Sequence, residues 1–191
     1  RTMTRTPIFK RGIAVVAALA LTGGPALAAS HCGVPDGLEL NARDTERLAN
    51  INMSRMRGLA QAANGEIASE RAEVADLFGA GLEPAAELPE GEYQCKTIKL
   101  GGLLPLVSYQ WFRCEISADG DGYTIAKITG SQNFTGRLMP HDGGLVYRGA
   151  AHYGYEGPRG YDDDPGRNQV GCLSAVAEKD VTFVLELPFP M

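Results

Sequence analysis

The stretch ADGDGYTIAKITGSQNFTGRLMPHDGGLVYRGAA, residues 118–151, decides the fold class of this chain. Asp119–Gly122 and Asp142–Gly144 are glycine-rich turn sequences, and the segments around them are rich in Tyr, Ile, Val and Thr. Glycine adopts the positive φ that tight hairpin turns require, and β-branched and aromatic residues are typical of strands. The stretch therefore predicts consecutive antiparallel strands joined by short turns.

The same pattern extends from Gly91 to the last residue, with glycine at the spacing typical of antiparallel sheets, sandwiches or barrels. In the last segment the odd-numbered residues from Val181 to Leu187 are apolar, which predicts one buried face. Tyr153–Gln169 contains four glycines and two prolines and is predicted to be a long loop. The predicted strands are Glu92–Leu100, Val107–Ser117, Tyr123–Ile128, Asn133–Met139, Leu145–Ala151, Val170–Val176 and Val181–Leu187.

Residues 38–81 have a different composition, rich in Ala, Leu, Glu and Arg and without proline. Asn41 is predicted to cap a first helix, and Asn64-Gly65 separates it from a shorter second helix that ends near Gly79. We predict an N-terminal helical hairpin (38–81) packed as a cover on a C-terminal antiparallel β region (91–191). The fold class is α+β, with a sheet of about seven strands that is curled or barrel-like.

The first 28 residues have the three parts of a secretory signal peptide. A basic start precedes the apolar run Gly12–Leu21, and Ala26–Ala28 supplies the small residues that signal peptidase reads. The run is shorter than the roughly 20 residues of a membrane-spanning helix, which makes an uncleaved anchor the weaker alternative. We predict a signal peptide at 1–28, a single domain at 29–191, a periplasmic or secreted location, and no transmembrane segment after cleavage.

Removal of the signal peptide changes the net charge from −5 to −9, because that segment contains four of the 18 Lys and Arg residues and none of the 23 Asp and Glu residues. A strongly negative surface repels phosphate backbones and anionic lipid headgroups. The composition therefore excludes nucleic acid as an expected partner and disfavours membrane surfaces.

Four cysteines in an exported chain indicate disulfides, and three pairings are possible. We favour Cys95 with Cys114, because both fall on strands that are neighbours in sequence. Cys32 and Cys172 then remain, either as a second disulfide or as two free thiols. No C-x-x-C motif is present and the three histidines are scattered, so we expect no metal site and no cofactor.

Several blocks of the β region carry a family resemblance. The blocks are Leu88–Gly101, Tyr109–Cys114, Lys127–Gln132 followed by Gly136–Leu138, and Asp163–Gly171. They resemble an exported bacterial family catalogued as domain of unknown function 4893. The resemblance places Cys95 and Cys114 on paired family positions, which supports that disulfide. It implies no activity, substrate or catalytic residue.

Two groups of residues are candidates for binding. The first consists of Trp111, Ser131, Gln132, Arg137 and Tyr153, whose aromatic and polar side chains are suited to a small polar ligand. The second is the acidic segment Asp162, Asp163 and Asp164 with Arg167, on the predicted loop. A solvated loop, a strand-end hydrogen-bond network or a packed core also explains these residues.

No nucleophile motif, metal-ligand spacing or phosphate-binding loop is present, so we do not expect catalysis. We expect a non-catalytic module of the cell envelope that binds a small molecule or another exported protein. One alternative is a hydrolase that uses Asp162–Asp164 with Ser131 or His152. The other is a structural or inhibitory protein that interacts through its helices.

Overall fold

The computed structural model describes residues 32–85 and 87–188, so the predicted signal peptide lies outside the described residues. Three helices come first: α1 (Ala42–Ala49), α2 (Ile51–Ala62) and α3 (Ala68–Gly79). The sheet follows, and a short 3₁₀-helix, Pro165–Arg167, precedes its seventh strand. The predicted α+β class is therefore confirmed.

The helical region contains one helix more than the predicted hairpin. Asn41 caps α1 as expected, because its side-chain oxygen accepts the backbone N–H of Asp44 at 2.9 Å. Asn50 then interrupts the first predicted helix: its ψ is 15°, and its side-chain amide donates to the Glu46 carbonyl at 2.9 Å. Asparagine competes for backbone hydrogen bonds in this way, so the chain bends between α1 and α2.

All seven predicted strands are present, and an additional short strand, β1, occupies part of the segment between the helices and the β region. Val181 is the exception within the last strand, because it has a φ of 47° and is exposed, so that strand begins at Phe183. The strands are β1 (Leu82–Pro84), β2 (Gly91–Leu100), β3 (Leu106–Asp119), β4 (Gly122–Lys127), β5 (Gln132–His141), β6 (Gly144–Tyr153), β7 (Asn168–Val176) and β8 (Phe183–Glu186).

The sheet is entirely antiparallel, and β2 to β7 pair in chain order. Strand β7 pairs with β6 and β1 along one edge, where β1 pairs with the residues of β7 that follow those paired with β6. Strand β8 pairs with the opposite edge of β7. The sheet curls into a half-barrel: the rings of Tyr93 on β2 and Phe183 on β8 meet edge to face at 6.4 Å. The two outermost strands thus approach each other across the concave face.

Each face of the sheet has its own apolar core. The concave face is filled by side chains that include Ile116, Ile125, Leu138 and Tyr147. On the convex face α1 lies over β7, while α2 and α3 lie over β2 and β3. The apolar residues of the helices are therefore largely used against the sheet. The helix-covered clusters contain Leu48, Ile51, Val146 and Val170 at one side and Ala62, Val74 and Leu106 at the other.

Tyr147 occupies the centre of the concave face and is fully buried. Its ring packs edge to face on Phe134 at 5.9 Å. Burial raises the pKa of its hydroxyl, so the group stays neutral. Two glycines make room for it: a Cβ on Gly136 would lie 2.4 Å from the ring, and one on Gly149 would lie 2.4 Å from the hydroxyl oxygen.

Two disulfides fix the chain at separate places. Cys95–Cys114 joins β2 to β3 with a Cα separation of 5.8 Å. Cys32–Cys172 ties the segment before α1 to the convex side of β7, with a Cα separation of 5.6 Å. Cys95–Cys114 is the pair that the sequence favoured, and Cys32–Cys172 is the second disulfide that the sequence left open against two free thiols. No free cysteine remains among the described residues.

We expect Gly136→Ala to lower the free energy of unfolding by about 1–3 kcal/mol, because the added methyl group overpacks the niche that holds Tyr147. Gly79→Ala is the matched control: its Cβ would meet nothing within 4 Å, and alanine favours the helix end by up to about 1 kcal/mol. Urea unfolding measures both. Equal stability of the two variants would contradict the packing around Tyr147.

Candidate functional site

The half-barrel has two distinct ends. At the turn end, tight turns join β3 to β4 and β5 to β6. At the loop end, the segment 128–131 joins β4 to β5, and the long segment 154–167 joins β6 to β7. Among the predicted residues, Ser131, Gln132, Tyr153 and Arg167 lie at the loop end, whereas Arg137 does not. Arg137 forms ion pairs with Asp119 and Asp121 at the turn end.

Two tyrosines form an exposed aromatic surface at the loop end, which we call the tyrosine platform (Tyr153 and Tyr155). Their rings stack with centroids 5.4 Å apart and planes 11° apart. Tyr155 is 84% exposed and Tyr153 is 41% exposed. When a ligand covers such exposed aromatic rings, their apolar surface is removed from water, and this favours binding.

Charged groups hold the platform in place. The Arg167 guanidinium lies over the ring of Tyr153 at 4.8 Å, and its Nη1 donates to Oε2 of Glu156 at 2.5 Å. The same carboxylate oxygen accepts the backbone N–H of Tyr153 at 3.1 Å. Arg159 pairs with Glu156 at 3.4 Å. The bond from the Tyr153 N–H and the neighbouring arginines lower the pKa of Glu156 to about 2.

The adjoining loop 128–131 is fixed from the concave side by a buried lysine. The Lys127 ammonium donates to the carbonyls of Thr129 at 2.9 Å and Gln132 at 2.5 Å, and it lies 3.8 Å from the ring centroid of Phe112. Burial lowers the pKa of Lys127. The Gly154 N–H donates to the Ser131 carbonyl at 3.0 Å, so the two loops are joined directly.

A buried carboxylate anchors the long loop to the helices. Asp44 is 1% exposed, and its Oδ2 accepts hydrogen bonds from the Tyr161 hydroxyl at 2.6 Å and from the Asn168 amide at 3.2 Å. Its Oδ1 accepts from Nη1 of Arg47 at 2.7 Å. Burial by itself raises the pKa of Asp44, but these three hydrogen bonds outweigh it, and the pKa is lowered.

The pKa of Tyr161, which donates to this carboxylate, is shifted in the opposite direction. Burial and the hydrogen bond to Asp44 raise the pKa of Tyr161 to about 12. Arg47 also donates to the Pro188 carbonyl at 2.6 Å, which brings the C-terminal segment into the same network. Helix α1, the long loop, β7 and the segment after β8 are therefore held by one polar cluster.

Each acid of the predicted acidic segment has a local partner. Asp162 accepts from the Asn168 amide at 2.7 Å, and Asp163 accepts the Gly160 N–H at 2.6 Å. Asp164 caps the 3₁₀-helix by accepting the Gly166 N–H at 3.1 Å and pairs with Arg167 at 3.3 Å. These contacts order the loop that carries the platform.

Trp111 lies apart from the platform, on the convex face, where it is 60% exposed. The Lys96 ammonium lies 5.4 Å from its ring centroid and pairs with Glu73 of α3 at 2.7 Å. Glu73 also accepts the Ser108 hydroxyl at 2.7 Å. Glu73, Lys96 and Ser108 line an open, polar cleft of about 590 Å³ between α3 and the β2–β3 hairpin.

The arrangement gives little support to hydrolytic chemistry. In the part of the chain that the structure describes, no hydrogen bond joins Ser131 to a histidine or a carboxylate. His152 is buried and lies 3.4 Å from the Thr135 hydroxyl. Within the same residues, no cluster of three or more His, Cys, Asp or Glu side chains is arranged to hold a metal ion. Over residues 32–85 and 87–188, no helix is long and apolar enough to cross a membrane.

Three important residues were absent from the predicted site. Tyr155 and Glu156 follow Tyr153 after one glycine, and the local sequence Tyr-Gly-Tyr-Glu was the available signal. Asp44 lies in the first turn of α1, where acids are common, so its position alone does not single it out. Two of its partners, Tyr161 and Asn168, are more than 100 residues away in sequence, and no local pattern indicates them.

Comparison with known proteins gives one family. The model of the family described as Domain of unknown function (DUF4893) matches residues 39–191, which is more than half of the chain. No curated protein matches, and no solved structure matches.

We expect Asp44→Asn to lower the free energy of unfolding by about 2–4 kcal/mol, because Arg47 and Tyr161 lose their buried anionic acceptor. Glu46→Gln, on an exposed position of the same helix, should change stability by less than about 0.5 kcal/mol. Chemical denaturation measures both. If the Asp44 variant were as stable as the Glu46 variant, the result would contradict an anchoring role for the cluster.

The low pKa of Glu156 predicts a definite pH dependence for the loop. A carboxylate with a lowered pKa stabilises the fold above its ordinary pKa near 4.5, and that contribution is lost as pH falls towards about 2. Carboxyl-carbon NMR should find Glu156 ionised at pH 3, with a higher midpoint in an Arg159→Gln, Arg167→Gln variant. A midpoint near 4.5 in the unmodified chain would contradict the network.

Proposed function

This chain belongs to the DUF4893 family, and we propose that it is a non-catalytic binding protein of the cell envelope whose ligand docks on the tyrosine platform. The observation that carries the proposal is the stacked, solvent-facing pair Tyr153 and Tyr155. An aromatic pair this exposed has more apolar surface to lose to a ligand than any packed tyrosine of the concave core.

Rigidity supports the proposal. Tyr153 is fixed through its backbone by Glu156 and through its ring by Arg167. The loop behind it is anchored to the Asp44 cluster through Tyr161 and Asn168. A binding surface that is ordered before the ligand arrives loses less conformational entropy on binding, so the same contacts give higher affinity.

The chemistry of the platform suggests the kind of ligand. The face of Tyr155 that is turned away from Tyr153 can accept the apolar face of a ring. The Ser131 hydroxyl and the Gln132 amide can offer hydrogen bonds nearby, because Gln132 pairs with Tyr153 and Ser131 accepts the Gly154 N–H. The ligand is thus a ring-bearing polar molecule, or an exported protein that presents such a group. Because the concave interior is filled around Tyr147, we place the site on the rim instead of inside the half-barrel.

An envelope location is part of the proposal. The two disulfides are compatible with an oxidising compartment, since such bonds are rare in reducing ones. The predicted signal peptide provides the route of export. In this setting the acids Asp162, Asp163 and Asp164 act as loop-ordering groups, which makes the hydrolase alternative the weaker one.

Capture from envelope extract tests the proposal. The tagged chain should retain a specific component that native mass spectrometry identifies, and Tyr155→Ser should reduce its retention at least tenfold, because the most exposed ring is removed. Val181→Ser is the matched control: it removes an apolar side chain that is 62% exposed on the β7–β8 connection, at the turn end.

Retention by the Tyr155 variant equal to that of the Val181 variant would reject the platform as the binding site. Thermal unfolding of both variants excludes misfolding as a cause, because neither side chain is part of a buried core. Appearance of a hydrolysed product with the unmodified chain, abolished by Ser131→Ala, would favour the hydrolase alternative.

A further inference from the structure

The β2–β3 hairpin extends beyond the rest of the sheet. Strand β3 pairs with β4 only from Cys114 onward, so residues 106–113 run past the last β4 pair, a length of about 25 Å for eight strand residues. Residues 101–105 form the turn at its tip. Helices α2 and α3 cover one face of this extension, and the tip itself points away from the sheet.

The tip and the α2–α3 connection beside it expose three aliphatic side chains, which we call the apolar apex (Ile67, Leu103 and Leu104). Leu103 is 101% exposed, Leu104 is 57% exposed, and Ile67 is 54% exposed. Ile67 belongs to the α2–α3 connection, which packs beside the tip: a Cβ on Gly65 would lie 2.8 Å from the side chain of Leu106. Such exposure has a free-energy cost in water unless another surface covers the apex.

Part of the backbone of the tip is hydrogen-bonded, within the turn and to α2. Gly101 donates its N–H to the Pro105 carbonyl at 2.8 Å, and Gly102 donates to the side-chain oxygen of Gln61 at 3.1 Å. Pro105 has no N–H to satisfy. The amides of Leu103 and Leu104 have no partner among the described hydrogen bonds, so the tip suits a hydrated interface and not the hydrocarbon core of a bilayer.

The residues behind the apex match the boundary between lipid and water. Lys99 and Tyr109 stand on the two strands just below the tip, with the lysine ammonium 5.2 Å from the ring centroid. Tyrosine and lysine are enriched at that boundary, because each has an apolar body and a polar end. From Tyr93 to Cys114 the chain contains three cations and no acid, in contrast to its overall net charge of −5.

Most of the charged groups named around the apex are paired with one another. Lys96 and Arg113 are paired with Glu73 and Glu92, so Lys99 is the hairpin cation nearest to the tip with no such pair among the described contacts. Glu66 and Arg71 of the α2–α3 region balance each other in charge, and Arg71 donates to the Gly65 carbonyl. The local charge at the apex is thus slightly positive, although the net charge of the chain disfavours anionic surfaces.

We propose that the apolar apex inserts into the interfacial layer of a lipid bilayer, with Lys99 and Tyr109 at the headgroups. A lipid surface suits the apex better than a protein pocket, because Leu103 is fully exposed in a hairpin turn and lipid chains adapt to the shape of a protruding side chain. This proposal is independent of the tyrosine platform, since it rests on different residues. Such docking is reversible, as two or three inserted side chains give only modest affinity.

Vesicle flotation with the full chain tests the proposal. Vesicles of phosphatidylethanolamine and phosphatidylglycerol should carry the unmodified chain, and the Leu103→Ser, Leu104→Ser variant should partition at least tenfold less. Met53→Ser, Met56→Ser is the matched control, because it removes two exposed apolar side chains from the N-terminal half of α2, which are not part of the apex. All variants contain the same N-terminal apolar run, so differences between them report the apex alone.

Two further variants sharpen the test. Lys99→Gln should weaken binding to the anionic vesicles about fivefold and leave binding to phosphatidylcholine vesicles unchanged. Leu104→Trp should strengthen partitioning, with a blue shift of tryptophan emission on vesicle addition, so the result does not depend on a loss of function. Equal flotation of the serine apex and methionine variants would overturn the proposal. A second result would also overturn it: sedimentation velocity shows that the unmodified chain is a dimer, the Leu103→Ser, Leu104→Ser variant is a monomer, and neither chain floats with vesicles.

Discussion

A buried carboxylate is the constraint on which the arrangement of this protein depends. Asp44 cannot remain ionised inside the fold unless each of its oxygens is supplied with donors, and the donors come from α1, the long loop and the start of β7. Satisfying one group therefore fixes three parts of the chain relative to each other. That arrangement also fixes the position of the tyrosine platform, because the adjoining loop is anchored at Tyr161 and Asn168.

The concave face explains why recognition is assigned to the rim. Curled sheets of this kind often enclose a ligand cavity. Here Tyr147 and its aliphatic neighbours fill the centre, and Gly136 and Gly149 leave the space that the tyrosine side chain occupies. The surfaces proposed for partners both lie at the loop end of the half-barrel, where β2 ends, β3 begins and β6 ends. They differ in chemistry: the platform combines aromatic faces with hydrogen-bonding groups, and the apex is aliphatic with a single lysine behind it.

Local patterns in the sequence predicted the strands well, because alternation and glycine turns are local signals; Asp119–Gly122 and Asp142–Gly144 mark hairpin turns correctly. Strand β1 was missed because three residues with a proline have no periodicity, and only pairing with β7 makes them a strand. Asn50 divided a helix through one side-chain hydrogen bond. The candidate site was anticipated through Tyr153 and Arg167, but its anchor at Asp44 depends on contacts across the whole chain, which no local pattern contains.

The disulfides have a consequence for the order in which the protein is made. Their connectivity is nested, with Cys95–Cys114 inside the interval spanned by Cys32–Cys172. During synthesis Cys32 emerges first and its partner last, after 140 residues. An oxidant that joins cysteines in their order of appearance would link Cys32 to Cys95 and leave Cys114 for Cys172. Correct maturation therefore requires either that Cys32 stay reduced until β7 is complete, or that a thiol–disulfide isomerase exchange the early bond.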